Sequence, residues 1–272
     1  MVSTIRFWKG RNMKLGISTA CFYPLLTEKA LENCMESGSE CCEVFFNAYS
    51  ELAPDFLKEL KMRASLGGVK IVSVHPFTSI DEPYMLFSRY ERRFEDGRDF
   101  YKRYYEAANM LGADILVIHG GRPGAHTSDE VYCERFSILR EDARAFGVRV
   151  AQENVNAYKS GSPDFIRKMR SLMKDDIDFV FDVKQAVRAG FSPEDMLNAM
   201  GDRLIHLHLS DHTGSNDCLL PGKGSYNFAA LAKHLDGMNY TGSGVIEVYS
   251  NAFERTEEVK NSLLYLKDGM KV

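Results

Sequence analysis

The chain alternates short apolar runs with longer segments in which apolar residues recur every three or four positions. The short runs are mostly continuous in their apolar character, which is typical of parallel strands that are covered on both faces. Eight such strands are predicted, at KLGIS (14–18), CCEVFF (41–46), VKIVSVH (69–75), ADILVIHG (113–120), VRVAQEN (148–154), IDFVFD (177–182), LIHLHLS (204–210) and GVIEVYS (244–250).

The longer segments have the apolar spacing of amphipathic helices, and each one follows a predicted strand. Ser128 and the Ser162-Pro163 pair are helix start signals, and Gly112 is a helix stop signal. The predicted helices cover residues 27–38, 54–66, 88–111, 128–146, 163–174, 193–200, 227–237 and 254–268.

Eight strand-then-helix units favour an α/β fold of the (β/α)8 TIM barrel type, in which eight parallel strands are enclosed by outer helices. An open doubly wound sheet is the alternative. The stretch STACFYPLLT after the first strand contains no G-x-G-x-x-G pattern, so a dinucleotide site has little support there.

The length of 272 residues fits one barrel domain, predicted over 13–272. Residues 1–12 precede the first strand pattern, and we interpret them as an N-terminal extension outside the fold, a cloning remnant or an upstream start. No stretch approaches about 20 uncharged apolar residues, and the N-terminus lacks the apolar core of a secretory signal. The sequence therefore predicts neither export nor a membrane span.

The formal net charge of -4 provides no bulk attraction for a polyanion, so no nucleic-acid partner is expected. The six cysteines are scattered, and Cys41 and Cys42 are adjacent in a predicted buried strand. This arrangement is typical of thiols in a reducing compartment rather than of a disulfide framework, so a cytoplasmic protein is predicted. The sequence leaves open whether the chain forms a homo-oligomer.

Metal-ligand side chains recur at the ends of six consecutive predicted strands. In parallel barrels the active site lies at the carboxyl ends of the strands, and buried carboxylates are costly unless they are paired or bound to metal. The residues concerned are His75, His119, Glu153, Asp182, His206 or His208, and Glu247. Their recurrence is the strongest functional signal in the sequence.

Four of these residues, one from each of four consecutive strands, form the predicted ligand set for one divalent metal: Glu153, Asp182, His208 and Glu247. Three carboxylates suit Mg²⁺ or Mn²⁺, and the single imidazole also permits Co²⁺ or Zn²⁺. The alternative is a hydrogen-bonded carboxylate network without metal. His206 lies two residues before His208 on the same face of its strand, so we interpret it as a deeper partner or a core residue.

Several motifs occur in an order that resembles a known family, over roughly residues 13 to 268. They are VIHGG (117–121), QEN (152–154), FDVKQA (181–186), HLHLSD (206–211), LPGKG (220–224) and IEVY (246–249). The chain resembles the xylose-isomerase-like barrels, which include sugar-phosphate isomerases and epimerases as well as endonuclease IV. Together and in this order the motifs are specific for the family, whereas any one of them alone would be weak evidence.

The resemblance implies that the metal polarises a carbonyl and a hydroxyl of the substrate. It also implies that Glu153 and Glu247 are catalytic, with one removing and the other returning a proton next to the carbonyl, through a metal-stabilised enediolate. General chemistry agrees, because a carbon acid needs both a base and an electrophile that stabilises the developing oxyanion.

The chain also departs from the family pattern. Many epimerases and endonuclease IV have histidine three residues after the aspartate of the sixth strand, where this chain has Gln185. Endonuclease IV places an Asp-x-His pair before its glycine-rich turn, and the comparable residues here are Asp217, Cys218 and Leu219. These departures disfavour a nuclease with three zinc ions, and glutamine cannot shuttle a proton.

Five further residues are candidates for substrate binding. His75 and His119 either contact substrate oxygens or are hydrogen-bonded histidines of the rim. Lys184 either faces the pocket or is a solvated lysine, and Gln185 can hydrogen-bond a substrate hydroxyl. Lys223 lies in a PGKG loop that either takes a phosphate on free backbone N–H groups or is a plain tight turn.

The leading hypothesis is a metal-dependent isomerase or epimerase of a small sugar, keto-sugar or sugar phosphate. A dehydratase or lyase of a cyclic polyol or keto acid is the alternative on the same site. An endonuclease IV-type nuclease and a sugar sensor without catalysis are further alternatives. Cys21 lies near the predicted mouth without a paired histidine in a nucleophile motif, so covalent thiol catalysis is disfavoured.

Overall fold

Eight parallel strands close into a barrel in the computed structural model, which describes residues 13–124 and 127–270. The strand order follows the chain, and β8 pairs with β1 to complete the closure. The strands are β1 (Lys14–Ser18), β2 (Cys41–Phe45), β3 (Lys70–His75), β4 (Ile115–Ile118), β5 (Arg149–Glu153), β6 (Asp178–Asp182), β7 (Leu204–Leu209) and β8 (Ser243–Ile246). The predicted TIM barrel is confirmed, and the open-sheet alternative is wrong.

Helices follow the strands and cover the outside of the barrel. They are α1 (Thr27–Glu36), α2 (Pro54–Leu66), α3 (Glu82–Met85), α4 (Glu91–Leu111), α5 (Asp129–Arg144), α6 (Pro163–Leu172), α7 (Val183–Arg188), α8 (Pro193–Met200), α9 (Phe228–Gly237) and α10 (Thr256–Gly269). The side chain of Ser128 caps α5 by accepting the N–H of Val131, and Gly112 ends α4 in the left-handed conformation, as predicted.

The structure differs from the sequence prediction at several ends. β8 stops at Ile246 rather than residue 250, and β4 stops at Ile118 rather than residue 120. The short helices α3 and α7 were not predicted, because a helix of four to six residues carries too little periodic pattern. The predicted N-terminal extension 1–12 lies outside the described residues.

The barrel interior changes from apolar to polar along its axis. Near the amino ends of the strands it is filled by small and branched side chains. These are Ile115, Val117, Ala151 and Val180, together with Cys41, Val72 and Val245. Because inward side chains recur every second residue, the next inward positions carry the polar groups of the carboxyl end. Val117, Ala151, Val180 and Val245 are thus followed two residues later by His119, Glu153, Asp182 and Glu247.

Candidate metal centre and active site

The four predicted ligands converge at the carboxyl end of the barrel. One ligand atom from each of Glu153, Asp182, His208 and Glu247 lies within 4.8 Å of the others. His208 Nδ1 is the common neighbour of the three carboxylates, at 3.3 Å from Glu153 Oε1, 3.2 Å from Glu247 Oε2 and 3.7 Å from Asp182 Oδ2. The structure therefore brings the predicted set together around one nitrogen.

These side chains differ in their access to solvent. The side chain of Glu247 is 12 % exposed, whereas those of Glu153, Asp182 and His208 are 2 % exposed or less. Glu247 lies just after β8, where its backbone N–H donates to the carbonyl of Leu209. Of these four groups, Glu247 therefore lies on the solvent side of the cluster.

Lys184 adds a buried positive charge to the cluster. Its Nζ lies 2.5 Å from Asp182 Oδ2 and 2.7 Å from Glu247 Oε2, and its side chain is 5 % exposed. Burial alone would lower the pKa of Lys184, but the charges of Asp182 and Glu247 hold it well above its usual value. Of the two sequence interpretations, the solvated lysine is wrong, because the ammonium is enclosed between two carboxylates.

The field inside the cluster favours positive charge. Burial disfavours a charged imidazole, yet the carboxylates of Glu247 and Glu43 raise the pKa of His208 well above its usual value. Conversely, burial would raise the pKa of Glu247, but the charges of His208 and Lys184 lower it below its usual range. A cation at this position would meet the same attraction and would compete with a proton for His208 Nδ1.

The donor set fits one divalent ion. Carboxylate and imidazole bonds to such ions are about 2.1 Å long, which separates neighbouring ligand atoms by roughly 3.0–3.4 Å. The distances of 3.2 and 3.3 Å from His208 Nδ1 to Glu247 and Glu153 match this spacing, and the 3.7 Å to Asp182 is slightly longer. Each carboxylate oxygen has two lone pairs, so the oxygens that accept from Lys184 retain one for an ion.

His75 and His119 lie on the other side of Glu153. Their Nε2 atoms are 3.0 Å apart, and Glu153 Oε2 lies 3.1 Å from His119 Nε2 and 3.7 Å from His75 Nε2. Despite this closeness, Glu153 Oε2 is buried without a well-directed hydrogen bond in the described structure. Phe45 stacks on the His75 ring at a centroid distance of 4.6 Å. Glu153 thus faces His208 with one oxygen and the two candidate substrate-binding histidines with the other.

Gln185 has two structural partners. Its backbone N–H donates to Asp182 Oδ1, because Asp182 ends β6 and also caps α7. Its side-chain Oε1 accepts the N–H of Asn156 in the loop after β5. The amide oxygen of Gln185 is therefore engaged within the protein, which leaves the amide nitrogen as the group that could reach a substrate hydroxyl.

The PGKG loop is organised by Asp211, which the sequence did not single out as a site residue. Asp211 Oδ2 accepts the N–H groups of Gly222 and Gly224, and Oδ1 accepts those of His212 and Tyr226. Lys223 N–H donates to the carbonyl of Leu220. These amides are therefore not free to cradle a phosphate, and of the two interpretations the structure favours the tight turn. The exposed Lys223 remains a candidate only through its side chain.

Glu43 is the main site residue that sequence reasoning missed. It is fully buried in β2, and its Oε2 lies 3.1 Å from His208 Nε2 and 3.3 Å from His206 Nε2. His206 lies deeper in the barrel, where Ser73 and Ser243 are its hydrogen-bond partners. The signal was a lone charged residue in the middle of the apolar run CCEVFF.

Cys21 is held as a structural thiol. It is buried, its Sγ donates to the carbonyl of Ile246 and accepts the N–H of Val248, and these two residues flank Glu247. Burial raises the pKa of the Cys21 thiol to about 12. The thiolate needed for nucleophilic attack is therefore disfavoured at neutral pH, in agreement with the sequence interpretation.

The fold and the cluster define a class of protein: a (β/α)8 barrel with a metal-type ligand set at the carboxyl ends of its strands. A family model described as "Xylose isomerase-like TIM barrel" matches residues 31–269. The chain belongs to the xylose isomerase-like TIM barrel family.

Relatives along most of the chain include proteins with and without assigned activity. An uncharacterised protein of Mycobacterium leprae is 26% identical over 92% of this chain and 94% of its own length. Fructoselysine 3-epimerase of Shigella flexneri is 23% identical over 87% of this chain and 90% of its own length.

Solved structures share the fold. D-psicose 3-epimerase of Clostridium cellulolyticum H10 superposes with a TM-score of 0.78 at 17% identity, over 96% of this chain and 100% of that one. 3-Keto-D-glucoside 4-epimerase of E. coli superposes with a TM-score of 0.75 at 20% identity, over 94% of this chain and 100% of that one. Within residues 13–124 and 127–270, no helix combines the length and apolar character that crossing a bilayer requires.

Proposed function

We propose that this protein is a metal-dependent epimerase or isomerase of a small keto-sugar. The observation that carries the proposal is the pair of glutamates that flank one nitrogen. Glu153 Oε1 and Glu247 Oε2 lie 3.3 Å and 3.2 Å from His208 Nδ1, and they come from the carboxyl ends of two different strands, with Glu153 ending β5 and Glu247 following β8. The epimerases named among the relatives support a sugar substrate.

Glu153, Asp182, His208 and Glu247 would hold the ion, with Mn²⁺, Mg²⁺, Co²⁺ and Zn²⁺ as the candidates. A bound divalent cation would supply the positive charge that makes a proton next to a carbonyl acidic. Glu153 and Glu247 would act as the acid–base pair, one taking the proton and the other delivering one to the same carbon. The lowered pKa of Glu247 keeps that carboxylate ionised at neutral pH, which is the form that binds a cation or acts as a base.

The remaining candidate residues would bind and orient the substrate. His75 and His119 lie beside Glu153, where their imidazoles could hydrogen-bond the hydroxyl groups of a sugar. Lys184 restrains Glu247 Oε2 and so fixes the direction from which that carboxylate meets the carbon. The amide nitrogen of Gln185 and the ammonium of Lys223 would donate hydrogen bonds to polar groups at the edge of the substrate.

The geometry also weighs against a trinuclear nuclease. Gln185 stands where endonuclease IV has histidine, and Asp217 is held by the guanidinium of Arg188 at 2.7 and 2.9 Å. Elemental analysis should therefore find one tightly bound ion per chain rather than three.

We further propose that residues 13–272 form one domain, which the closed barrel supports. We also propose that the protein works in the cytoplasm, which the six buried free thiols support.

Proton transfer can be tested by the uptake of solvent deuterium. The protein, reconstituted with Mn²⁺, is incubated in D2O with a panel of ketoses and ketose phosphates, and deuterium next to the carbonyl is measured by NMR and mass spectrometry. Glu247→Gln should reduce uptake by about 10²-fold or more while the fold is retained. Glu257→Gln, on the exposed surface of α10, is the matched control and should retain activity.

The outcome also separates the alternatives. Loss of water from the substrate mass would indicate the dehydratase or lyase instead. A folded, metal-loaded protein that exchanges no deuterium with any ketose of the panel would overturn the epimerase proposal.

A further inference from the structure

A buried hydrogen-bonded group lies directly beneath the candidate metal centre. Glu43 sits on the inner face of β2, and the strand register places it beside Ser18 of β1 and Ser73 of β3. Ser73 Oγ donates to Glu43 Oε2 at 2.8 Å, and Ser18 Oγ donates to Oε1 at 3.4 Å. Neighbouring strands on both sides therefore hold this carboxylate.

The register of β2 is adjusted at this residue. The pairing of β2 with β3 shifts between Cys42 and Glu43, so that Cys42 pairs with Ile71 but Glu43 pairs with Ser73. This irregularity brings a hydroxyl opposite the carboxylate. A buried carboxylate without partners would cost several kcal/mol of folding free energy. The hydroxyls and imidazoles around Glu43 offset this cost by hydrogen bonding.

The contact with His208 has a directional consequence. His208 Nε2 is 3.1 Å from Glu43 Oε2, while Nδ1 on the opposite side of the ring faces Glu153, Asp182 and Glu247. A carboxylate oxygen accepts hydrogen bonds, so Nε2 carries a hydrogen and donates it. A ring held in this way presents Nδ1 as the atom available to an ion, and rotating the ring would break the bond to Glu43.

We propose that Glu43 is a positioning residue that fixes the His208 ring with its Nε2–H on the buried side and its Nδ1 toward the three carboxylates. The inference rests on the proposed function in that it concerns the same metal centre. In this proposal Glu43 binds neither substrate nor ion. It acts through His208, as carboxylates behind metal-bound histidines do in general.

The test compares metal affinity and the state of the His208 ring in four proteins. Glu43→Gln keeps size and one acceptor oxygen but removes the charge, and Glu43→Met removes the acceptor. Glu51→Gln is the matched control, because Glu51 is also buried and hydrogen-bonded, to Thr27 and to the N–H of Asn47, and these partners lie outside the cluster. Zn²⁺ binding is measured by calorimetry, and the His208 Nε2 proton is followed by NMR of protein labelled with ¹⁵N-histidine.

The expected result is a graded loss of affinity. Glu43→Gln should weaken Zn²⁺ binding by about 10-fold or more, and Glu43→Met should weaken it further, whereas Glu51→Gln should not change it. In metal-free wild-type protein, the Nε2 proton of His208 should give a downfield, slowly exchanging resonance. This resonance should be lost in Glu43→Met and retained in Glu51→Gln.

Two failures can be told apart. If the wild type binds Zn²⁺ and folded Glu43→Gln binds it equally well with an unchanged Nε2 proton, the inference about Glu43 is wrong and the metal centre stands. If the wild type binds no divalent ion, the proposed metal function fails, and the Nε2 proton of the metal-free proteins decides the inference about Glu43 by itself. Should Glu43→Met fail to fold, Glu43→Gln carries the comparison.

Discussion

Lys184 is a residue whose substitution the structure predicts to have a large effect on stability. Lys184→Met keeps the aliphatic length of the side chain but removes the charge that lies 2.5 Å from Asp182 and 2.7 Å from Glu247. Without a metal ion, two buried carboxylates would then lose the ammonium that they share, and His208 would remain their common neighbour. The folded state must then either hold their uncompensated charge or take up a proton.

The size of the effect follows from burial and distance. A Coulomb attraction at 2.7 Å is worth about 6 kcal/mol at an effective dielectric constant near 20, and the lost hydration of the ammonium offsets part of it. Breaking a buried pair by removing one partner typically costs about 3–5 kcal/mol. For a chain of this size each kcal/mol lowers the Tm by roughly 2–4 °C, so a decrease of about 10 °C is expected in EDTA.

The assay is thermal unfolding of wild type and Lys184→Met, in EDTA and with saturating Mn²⁺. A divalent ion restores positive charge to the same carboxylates, so Mn²⁺ should raise the Tm of Lys184→Met more than that of the wild type. Lys168→Met is the matched control, because Lys168 pairs with Asp129 at 2.6 Å but its side chain is 49% exposed. Exposed pairs contribute about 1 kcal/mol or less, so its Tm should change little.

Equal melting temperatures of wild type and Lys184→Met in EDTA would refute this reasoning. So would an equal rise with Mn²⁺ in both proteins, because it would mean that the lysine and the ion do not act on the same charges.

Two further predictions concern polar groups outside the cluster. Glu82 is buried in α3 and accepts hydrogen bonds from Tyr101 Oη and the N–H of Gly120, and burial raises its pKa to about 8. Because this folded-state pKa lies above the unfolded value, its stabilising contribution is present below about pH 4 and is lost as pH rises through 8. Urea unfolding at pH 6 and pH 9 should show a smaller loss of stability in Glu82→Gln than in the wild type, and equal losses would contradict the assignment. Asp211→Asn should cost about 1–3 kcal/mol and speed amide hydrogen exchange at Gly222 and Gly224, whereas unchanged exchange there would show that the PGKG loop is held by other contacts.

The fold could be predicted because its pattern is local. Each parallel strand is an apolar run, each outer helix has a three- to four-residue apolar period, and both are readable without knowing the neighbours. The errors in the predicted strand ends occur where tertiary structure, and not the local apolar pattern, decides where an element stops. IEVYS continues the apolar run of β8, but the regular pairing with β1 and β7 ends at Ile246, and beyond it the Glu247 N–H still donates to the carbonyl of Leu209.

The metal-type cluster was also predictable, because a strand end is the position that barrel topology sends to the common mouth. Glu153, Asp182 and Glu247 could be picked out in this way, and the structure brings them together with His208. Their roles in binding an ion and moving protons stay predictions that the experiments above address.

Glu43 and Lys184 could not be placed in this way. Glu43 lies within a strand, and its meaning depends on a register shift and on serines from two other strands, none of which leaves a local pattern. Lys184 sits in α7, whose six residues turn its side chain back over β6, and sequence spacing does not distinguish that direction from an outward one.

If Glu153 and Glu247 carry out the proposed proton transfer, their unequal exposure has a consequence for the hydrogen that they move. Glu247 retains an opening to solvent at 12 %, whereas Glu153 is enclosed at 2 %. A hydrogen bound to Glu247 would exchange with water between turnovers, whereas one bound to Glu153 would exchange more slowly. The product made from one epimer would then retain a different amount of hydrogen isotope from the product made from the other. The isotope content of the product would therefore differ between the two directions of the reaction.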